Sequence, residues 1–300
     1  KQLIQYVKKN KGKSGIVYCL SRKKVEEIAE LLRVNDVKAL PYHAGLDSQI
    51  RMANQDAFLN EDADVIVAAL GEGAESSGES ASKSNIDIPE AQKRLLKALV
   101  ATGKPVVLVL FNGRPLTLNW ENENVPAILD VWFAGSEAGD AIADALLGKV
   151  NPSGKLTMSF PQNVGQIPLY YNHKNTGRPL GEGKWFEKFR SNYLDVSNDP
   201  LYPFGYGLSY TTFSYANLKV SQPRMSVSDK IQVSIDVTNT GMFDGKEVVQ
   251  MYIRDVIGSV TRPVKELKGF QKITIKKGEK QTVSFNITVE DLKFYNSDIQ

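Results

Sequence analysis

The sequence has few of the residues that build disulfides and metal centres. It contains one cysteine, Cys19, and two histidines, His43 and His173, among 300 residues. A single cysteine excludes an internal disulfide, and its place in the apolar run Gly15–Leu20 indicates a buried, inert thiol. Three such residues are too few to favour a zinc site. We therefore expect no metal centre.

Long apolar segments and complete nucleotide-binding motifs are also lacking. No run approaches the roughly 20 apolar residues that a membrane-spanning helix needs, and residues 1–13 lack the core of a signal peptide. Val7 stands where a phosphate-binding loop ending at Gly12 would need a glycine, and Ser76 replaces the third glycine of a dinucleotide fingerprint. We expect neither a membrane span nor a cofactor.

Charge is unevenly distributed along the chain. Residues 1–60 carry 11 Lys and Arg against 6 Asp and Glu, whereas the remainder carries 26 against 28. A basic first fifth suggests a surface for a polyanion such as nucleic acid, followed by a protein for neutral substrates. The alternative, that the lysines at positions 8, 9, 11 and 13 only solvate a helix end, is equally open.

The hydrophobic pattern predicts alternating strands and helices up to about residue 160. The predicted strands are Ile16–Leu20, Val37–Leu40, Asp64–Leu70, Pro105–Leu110, Ala127–Phe133 and Lys155–Phe160. One predicted helix begins after Ser21. Three others cover Asp47–Leu59, Pro89–Thr102 and Ser136–Leu147. Such alternation is typical of parallel βαβ units. We therefore expect residues 1–160 to form one nearly continuous, mostly parallel sheet.

From Thr212 onward the hydrophobic period changes to two residues. Ile231, Val233 and Ile235 alternate with polar neighbours, and a turn pattern follows at 239–241. This pattern predicts an antiparallel β-sandwich of the immunoglobulin or fibronectin type III kind. Residues 161–210, rich in Pro, Gly, Tyr and Asn, predict a long connector. The predicted fold class is thus a layered α/β domain followed by an all-β sandwich.

Three carboxylates lie in a Gly- and Ser-rich loop after the strand Asp64–Leu70. Glu72, Glu75 and Glu79 follow the carboxyl end of a parallel strand, where α/β sheets bind ligands. Carboxyl groups that cluster there raise one another's pKa, which suits a general acid. From the pattern alone, a solvated surface loop is the commoner explanation.

The same loop carries a resemblance to a known family. Gly71–Pro89 resembles the acid/base loop of bacterial β-glucosidases in glycoside hydrolase family 3, and the similarity continues through Gly103–Pro115, Trp132–Gly135, Asn151–Leu156, Leu201–Phe213 and Ser259–Phe270. It covers about residues 61–300. The resemblance implies an α/β sandwich domain at 61–170, a connector at 171–211 and a C-terminally truncated fibronectin type III-like domain at 212–300.

The resemblance also implies a site and a reaction. Glu79 matches the general acid/base of a retaining, exo-acting β-glucosidase, whose substrate is a β-glucoside or oligosaccharide and whose location is periplasmic or secreted. Weaker candidates for substrate binding are Glu72 and Lys83. The family usually has arginine at the position of Lys83, and lysine keeps the charge but loses the planar fork of donors.

One part of the family's machinery is not in the sequence. The aspartate nucleophile of the family lies on an N-terminal TIM barrel, and these 300 residues contain no such barrel. Retaining hydrolysis needs two carboxylates about 5–5.5 Å apart. Since the chain begins inside a helical pattern and ends at Gln300 without a closing strand, we expect a fragment cut at both ends.

The first 68 residues have a different resemblance. Gly15–Arg22 and Tyr42–Leu46 are similar to the second motor domain of RecQ-type DNA helicases, and Ala63–Ala68 extends the match. This resemblance implies nucleic-acid binding by residues 1–60 and a cytoplasmic location. We interpret the sequence as a chimera joined at Ala63–Ala68. A nucleic-acid-binding module and a non-catalytic scaffold are the rival functions.

The composition of the acid/base loop predicts its behaviour. Glycine and serine give residues 73–84 little apolar surface with which to pack against the domain. The resemblance also implies that the barrel, which these 300 residues lack, holds the loop in the family. We therefore expect residues 73–84 to be mobile and Glu79 to be largely solvated.

The missing nucleophile gives a first prediction. The chain of residues 1–300 alone should hydrolyse aryl β-glucosides no faster than its Glu79→Gln variant, because an acid without a nucleophile has no covalent intermediate to form or resolve. Release of the aryl alcohol by both proteins, measured at equal concentration, tests this. Turnover that depends on Glu79 would mean that another carboxylate of the chain acts as the nucleophile.

Overall fold

The computed structural model describes residues 65–181, 184 and 186–298, together with residues 26, 29, 30, 33, 34, 47–50, 52 and 53. The chain divides into two compact units, residues 1–133 and 134–300. The predicted strands Ile16–Leu20 and Val37–Leu40 lie outside the described residues. The described residues at 26, 29, 30, 33, 48–50, 52 and 53 are helical, within the two helices predicted there.

The first unit contains a parallel sheet of three described strands. Its elements are β1 (Ile66–Gly71), a 3₁₀ turn (Ala74–Ser76), α1 (Glu90–Ala101), β2 (Val106–Phe111), α2 (Asn119–Asn124) and β3 (Ala127–Asp130). The strand order is β1-β2-β3, and both pairs are parallel, with Ile66 opposite Val106 and Val107 opposite Ala127. The prediction of a parallel α/β sheet is confirmed for these strands.

The central strand β2 is the most deeply buried part of this sheet. Its residues Val106, Leu108, Val109 and Leu110 are each at most 1% exposed, so side chains on both faces are buried. A nearly continuous apolar run is what a central parallel strand requires, because helices and loops cover both faces of the sheet. Loops that leave the carboxyl ends of these strands therefore start from a fixed edge.

The second unit contains two described α-helices, a long connector and an all-β region. Its elements are α3 (Ala138–Leu146), a 3₁₀ turn (Val164–Gln166), β4 (Phe213–Val220), β5 (Ile231–Asn239), β6 (Gly245–Ile253), β7 (Glu266–Ile275), β8 (Lys280–Ile287) and α4 (Val289–Leu292). The strands form antiparallel sheets β4-β5-β8 and β6-β7. One core joins them, since Val237 and Val283 pack with Val249 and Ile275. The predicted all-β region is confirmed.

The prediction of a strand at Lys155–Phe160 is wrong. Leu156 and Phe160 donate backbone hydrogen bonds to Tyr206 and Tyr202, and only an isolated antiparallel bridge joins Phe160 to Tyr202. Phe160 is 1% exposed and meets the ring of Tyr202 edge-to-face. Phe160 is thus buried by contacts with the connector, whereas Met158 of the same segment is 50% exposed. The described parallel sheet therefore ends at β3, and the expectation that one sheet continues to residue 160 is wrong.

The described part of the chain contains no helix that combines the length and hydrophobicity needed to cross a bilayer. It also brings no three metal-ligating side chains of the His, Cys, Asp and Glu types together.

Asn239 ties the end of β5 to its surroundings. The residue is fully buried, and its amide oxygen accepts hydrogen bonds from the Thr211 hydroxyl (2.6 Å) and the Gly241 N–H (3.1 Å). Its amide nitrogen donates to the carbonyls of Phe243 (2.8 Å) and Ile275 (3.0 Å). A buried amide whose hydrogen bonds are all made stabilises the fold. If the amide is removed, its buried partners are left unpaired, and their loss of hydration is no longer offset by a hydrogen bond.

The replacement of Asn239 tests this arrangement. Asn239→Ala should lower the free energy of unfolding of the second unit by about 3 kcal/mol, because it leaves buried donors and acceptors unpaired. Urea unfolding followed by far-ultraviolet circular dichroism measures the change. The control Gln232→Ala, on an exposed position of the same strand, should cost less than about 0.5 kcal/mol. Equal losses in the two variants would contradict the assignment.

Candidate active site

The candidate site begins where β1 ends. Gly71 has a φ of +140°, and a side chain there would collide with the carbonyl of Phe111 on the neighbouring strand. The side chain of Gln92 on α1 holds the peptide groups of Gly71 from both sides, accepting from its N–H at 2.7 Å and donating to its carbonyl at 3.0 Å. Only glycine fits this turn, which directs the following loop away from the sheet.

Glu72 comes next and is buried with two cationic partners. Its side chain is 0% exposed; Oε1 lies 2.9 Å from Lys83 Nζ, and Oε2 lies 3.3 Å from Arg114 Nε. A buried carboxylate needs such partners because its desolvation is costly. These three residues, which we call the loop clamp, join the start of the loop to its end and to the segment after β2.

Arg114 extends the loop clamp to the backbone of the loop. Its Nη2 donates to the carbonyl of Ala81 at 2.8 Å and also to the carbonyl of Ser76. The amide of Asn112, which is fully buried, donates to the carbonyl of Arg114 at 3.0 Å. One guanidinium therefore binds the Glu72 carboxylate and two carbonyls at once, which its planar fork of donors allows.

Glu79 lies on the loop between the two carbonyls that Arg114 holds. The N–H of Ala81 donates to the carbonyl of Gly78 at 3.3 Å, so residues 78–81 form a β-turn with Glu79 at its second position. Ser80, at the third position, has a φ of +57°. The Glu79 side chain is exposed at this turn. An exposed carboxyl on a fixed turn can give a proton to a bound molecule and take one back.

The structure treats the three predicted site residues differently. Glu79 is exposed, as expected, and charged side chains contact the loop that carries it. The mobility of the loop stays a prediction. Glu72 and Lys83, the candidates for substrate binding, pair with each other; the side chain of Glu72 is 0% exposed and that of Lys83 is 32% exposed. Their role in substrate binding stays a prediction. The sequence reasoning overlooked Arg114. Its position just after β2, at the same sheet edge as Glu72, was the available indication.

The far end of the loop has a second charged cluster. Asp87 accepts a hydrogen bond from the Thr117 hydroxyl, and Lys93 on α1 lies 3.7 Å from Asp87 and 3.9 Å from Glu121. Glu121 is 0% exposed, and neither of its carboxylate oxygens has a hydrogen-bond donor. Burial raises the pKa of the Glu121 carboxyl, although Lys93 opposes that shift. Both ends of the loop are thus fixed by polar contacts.

Asp130 occupies the carboxyl end of β3. Its Oδ1 accepts from the N–H of Trp132 at 3.3 Å, Trp132 has a φ of +49°, and Oδ2 is buried without a hydrogen-bond partner. Burial raises the pKa of the Asp130 carboxyl to about 6, while the hydrogen bond from Trp132 opposes the rise. The turn places Phe133 beside Gly113, where Ser77 of the loop also packs; a side chain at Gly113 would collide with both.

Two family models match the chain. The model of the glycosyl hydrolase family 3 C-terminal domain matches residues 3–210, and that of a fibronectin type III-like domain matches residues 247–300. The first match contains the loop, the loop clamp and Glu79. The second lies in the region of the two antiparallel sheets.

Individual relatives and solved structures agree with these matches. The chain is 53% identical over 257 residues to the periplasmic β-glucosidase of Salmonella typhimurium, covering 86% of this chain and 32% of the relative. It is 45% identical over 242 residues to a β-xylosidase of Formosa agariphila, covering 80% of this chain and 32% of the relative.

Among solved structures, the β-glucosidase from Listeria innocua in complex with glucose matches with a TM-score of 0.78 and 46% identity, covering 85% of this chain and 35% of that one. The chain thus spans about a third of the length of these relatives.

The comparisons correct the interpretation of the first 68 residues. The glycosyl hydrolase match begins at residue 3, so it includes the segment that resembles a helicase. Nothing in the matched families, relatives or structures supports a helicase fragment or a chimera. We therefore no longer infer nucleic-acid binding or a cytoplasmic location from this segment.

Asp130 gives a prediction for the pH dependence of stability. A carboxyl whose pKa rises from 3.8 to about 6 on folding stabilises the fold fully below the lower value, and this contribution is lost as pH rises through the upper one. Asp130→Asn should therefore be more stable than the wild type at about pH 8, by on the order of 2 kcal/mol, with the difference vanishing near pH 4.

Denaturant unfolding followed by tryptophan fluorescence measures this difference, since Trp120 and Trp132 both lie in the first unit. Glu123→Gln, which removes an exposed carboxylate from the same unit, controls for the change in net charge. A stability difference between Asp130→Asn and the wild type that stays constant across the pH range would contradict the prediction.

Proposed function

The chain belongs to glycosyl hydrolase family 3, and from that premise we propose that it carries the general acid/base residue, Glu79, of a retaining, exo-acting β-glucosidase. The observation that carries the proposal is the exposed carboxyl of Glu79 on a turn whose flanking carbonyls are both held by Arg114. Glu72 of the same loop is already neutralised by two cations and is inaccessible.

The proposed reaction has two steps. Glu79 first donates a proton to the glycosidic oxygen as a carboxylate attacks the anomeric carbon, and the alcohol leaves. Glu79 then removes a proton from water, which attacks the same carbon and releases the sugar and the nucleophile. The resemblance to the family implies that the nucleophile is an aspartate on a TIM barrel, which these 300 residues do not include.

The sugar and the location rest on the relatives. The Salmonella typhimurium relative and the Listeria innocua structure are named as β-glucosidases, and the Formosa agariphila relative as a β-xylosidase. The higher identity to the first, 53% against 45%, supports a β-glucoside as the substrate. The word periplasmic in the name of the first supports a periplasmic location.

A hybrid enzyme tests the role of Glu79. In the hybrid, the segment of this chain that matches the Listeria innocua β-glucosidase replaces the corresponding segment of that enzyme. The remainder of the hybrid is the Listeria innocua protein. Glu79→Ala should lower kcat/KM for an alkyl β-glucoside by about 10²–10⁴-fold, because a poor leaving group needs protonation. The 2,4-dinitrophenolate group of a 2,4-dinitrophenyl β-glucoside leaves without an acid, so Glu79→Ala should still form the glucosyl intermediate from this substrate. Added azide should then restore turnover of that intermediate.

Two controls complete the experiment. Glu75→Ala removes another exposed carboxylate of the loop and should leave both rates nearly unchanged. The matching alkyl β-xyloside measures sugar preference and should react more slowly than the glucoside. Equal rates on the alkyl glucoside with and without Glu79, or a folded hybrid with no activity, would refute the proposed function.

A further inference from the structure

The loop that carries Glu79 has little to hold it except charge. Residues 73–84 contain no apolar residue larger than alanine, and none of them is buried. The contacts that cross from this segment to the rest of the first unit include the Lys83–Glu72 ion pair, the two carbonyls bound by Arg114, and a long hydrogen bond of 3.4 Å from Ser77 to the carbonyl of Gly113. Electrostatic contacts thus replace the apolar packing that usually fixes a loop.

Arg114 holds this segment on both sides of Glu79. Ser76 precedes Glu79 by three residues and Ala81 follows it by two, and both carbonyls accept from the same Nη2 atom. Lys83 shares the Glu72 carboxylate with Arg114, so it fixes the guanidinium indirectly. We propose that Arg114 and Lys83 are positioning residues, which act through the buried Glu72 to set the place of the Glu79 carboxyl. The inference rests on the proposed role of Glu79.

Position matters more for an acid than for most groups. Proton transfer needs the donor within hydrogen-bond reach of the leaving oxygen, and a displacement of 1 Å can cost about 100-fold in rate. Arg114 contacts the loop backbone and Glu72, and Lys83 contacts Glu72; the proposed reaction gives neither a contact with the substrate or the reacting atoms. They are therefore positioning residues and not catalytic residues. Their loss should impair both proton transfers of Glu79, to the leaving oxygen and from water, while leaving substrate binding nearly unchanged.

The substitutions are chosen to keep the buried charge paired. Removing one partner of a buried ion pair can cost several kcal/mol, so Arg114→Lys keeps the cation but loses the fork that reaches the two carbonyls. Lys83→Met leaves Glu72 paired with Arg114 alone. Lys83→Arg restores both charge and donors and is the matched control.

Hydrogen exchange on the full 300-residue chain tests the loop clamp without any activity. The N–H groups of Ser76 and Ala81 are bonded within the loop, to the carbonyls of Gly73 (3.0 Å) and Gly78 (3.3 Å). Arg114→Lys should speed their exchange at least about tenfold while the amides of Val106–Phe111 stay unchanged. Lys83→Met should give a smaller increase, and Lys83→Arg none.

Two results would overturn the inference. One is unchanged exchange at Ser76 and Ala81 in a folded Arg114→Lys variant. The other is an equal increase in the strand Val106–Phe111, which would indicate a general loss of stability. If Arg114→Lys does not fold, the comparison of Lys83→Met with Lys83→Arg decides in the same way.

Kinetics on the hybrid enzyme separate this inference from the proposed function. Arg114→Lys and Lys83→Met should lower kcat for the alkyl β-glucoside, by about 100-fold for Arg114→Lys, with KM nearly constant. They should leave kcat/KM for the 2,4-dinitrophenyl substrate little affected, because formation of its glucosyl intermediate needs no acid. Lys83→Arg should restore the alkyl rate. If Glu79→Ala discriminates between the two substrates and the loop-clamp variants do not, only the positioning inference fails. If Glu79→Ala itself does not discriminate, the proposed function fails.

Discussion

The candidate site depends on one buried carboxylate. The side chain of Glu72 is removed from water at the end of β1, and two cations from different segments must remain beside it for the charge to be tolerated. Lys83 comes from the end of the loop and Arg114 from the segment after β2. The need to pair this charge therefore closes the loop on itself and joins it to the sheet. The exposed turn with Glu79 is a consequence of that closure.

This arrangement keeps the loop polar. Anchoring by apolar contacts would require large side chains near Glu79. Anchoring by the loop clamp requires none, so the turn that carries Glu79 stays exposed to a ligand. The rigid start of the loop supports the same result, because Gly71 and Gln92 fix the direction in which the chain leaves the sheet. At the far end, Lys93 and the buried Glu121 fix the return of the chain near Asp87. The site thus lies on a short, doubly anchored segment.

Much of this fold could be predicted from hydrophobic periodicity, and much of the site could not. The strands around Ile66–Gly71 and Val106–Phe111 follow directly from their apolar runs, and the alternation at Ile231–Asn239 predicts an antiparallel strand. The strand prediction for Lys155–Phe160 is wrong because Phe160 pairs and packs with Tyr202 of the connector instead of joining the sheet. A contact between residues so far apart in the sequence cannot be inferred from hydrophobic periodicity. The resemblance of the loop to the family predicts the role of Glu79, and that role stays a proposal.

The ion pair between the buried Glu72 and Arg114 could not be predicted from the sequence. Burial, and pairing of residues 42 positions apart, are properties of the folded chain. The similarity of residues 1–68 to a helicase misled for a related reason: short strand and helix motifs recur in unrelated α/β families. The family match from residue 3 carries more information, since it extends over the whole α/β region.

The central claim is that Arg114 acts on the reaction only through Glu79. A double-mutant cycle in the hybrid enzyme tests it directly, with kcat/KM measured on an alkyl β-glucoside. The account predicts that Arg114→Lys costs about 100-fold when Glu79 is present and nearly nothing in the Glu79→Ala background, because there is then no acid to misplace. The same loss in both backgrounds would contradict it, since Arg114 would then act on the fold or the substrate independently of Glu79.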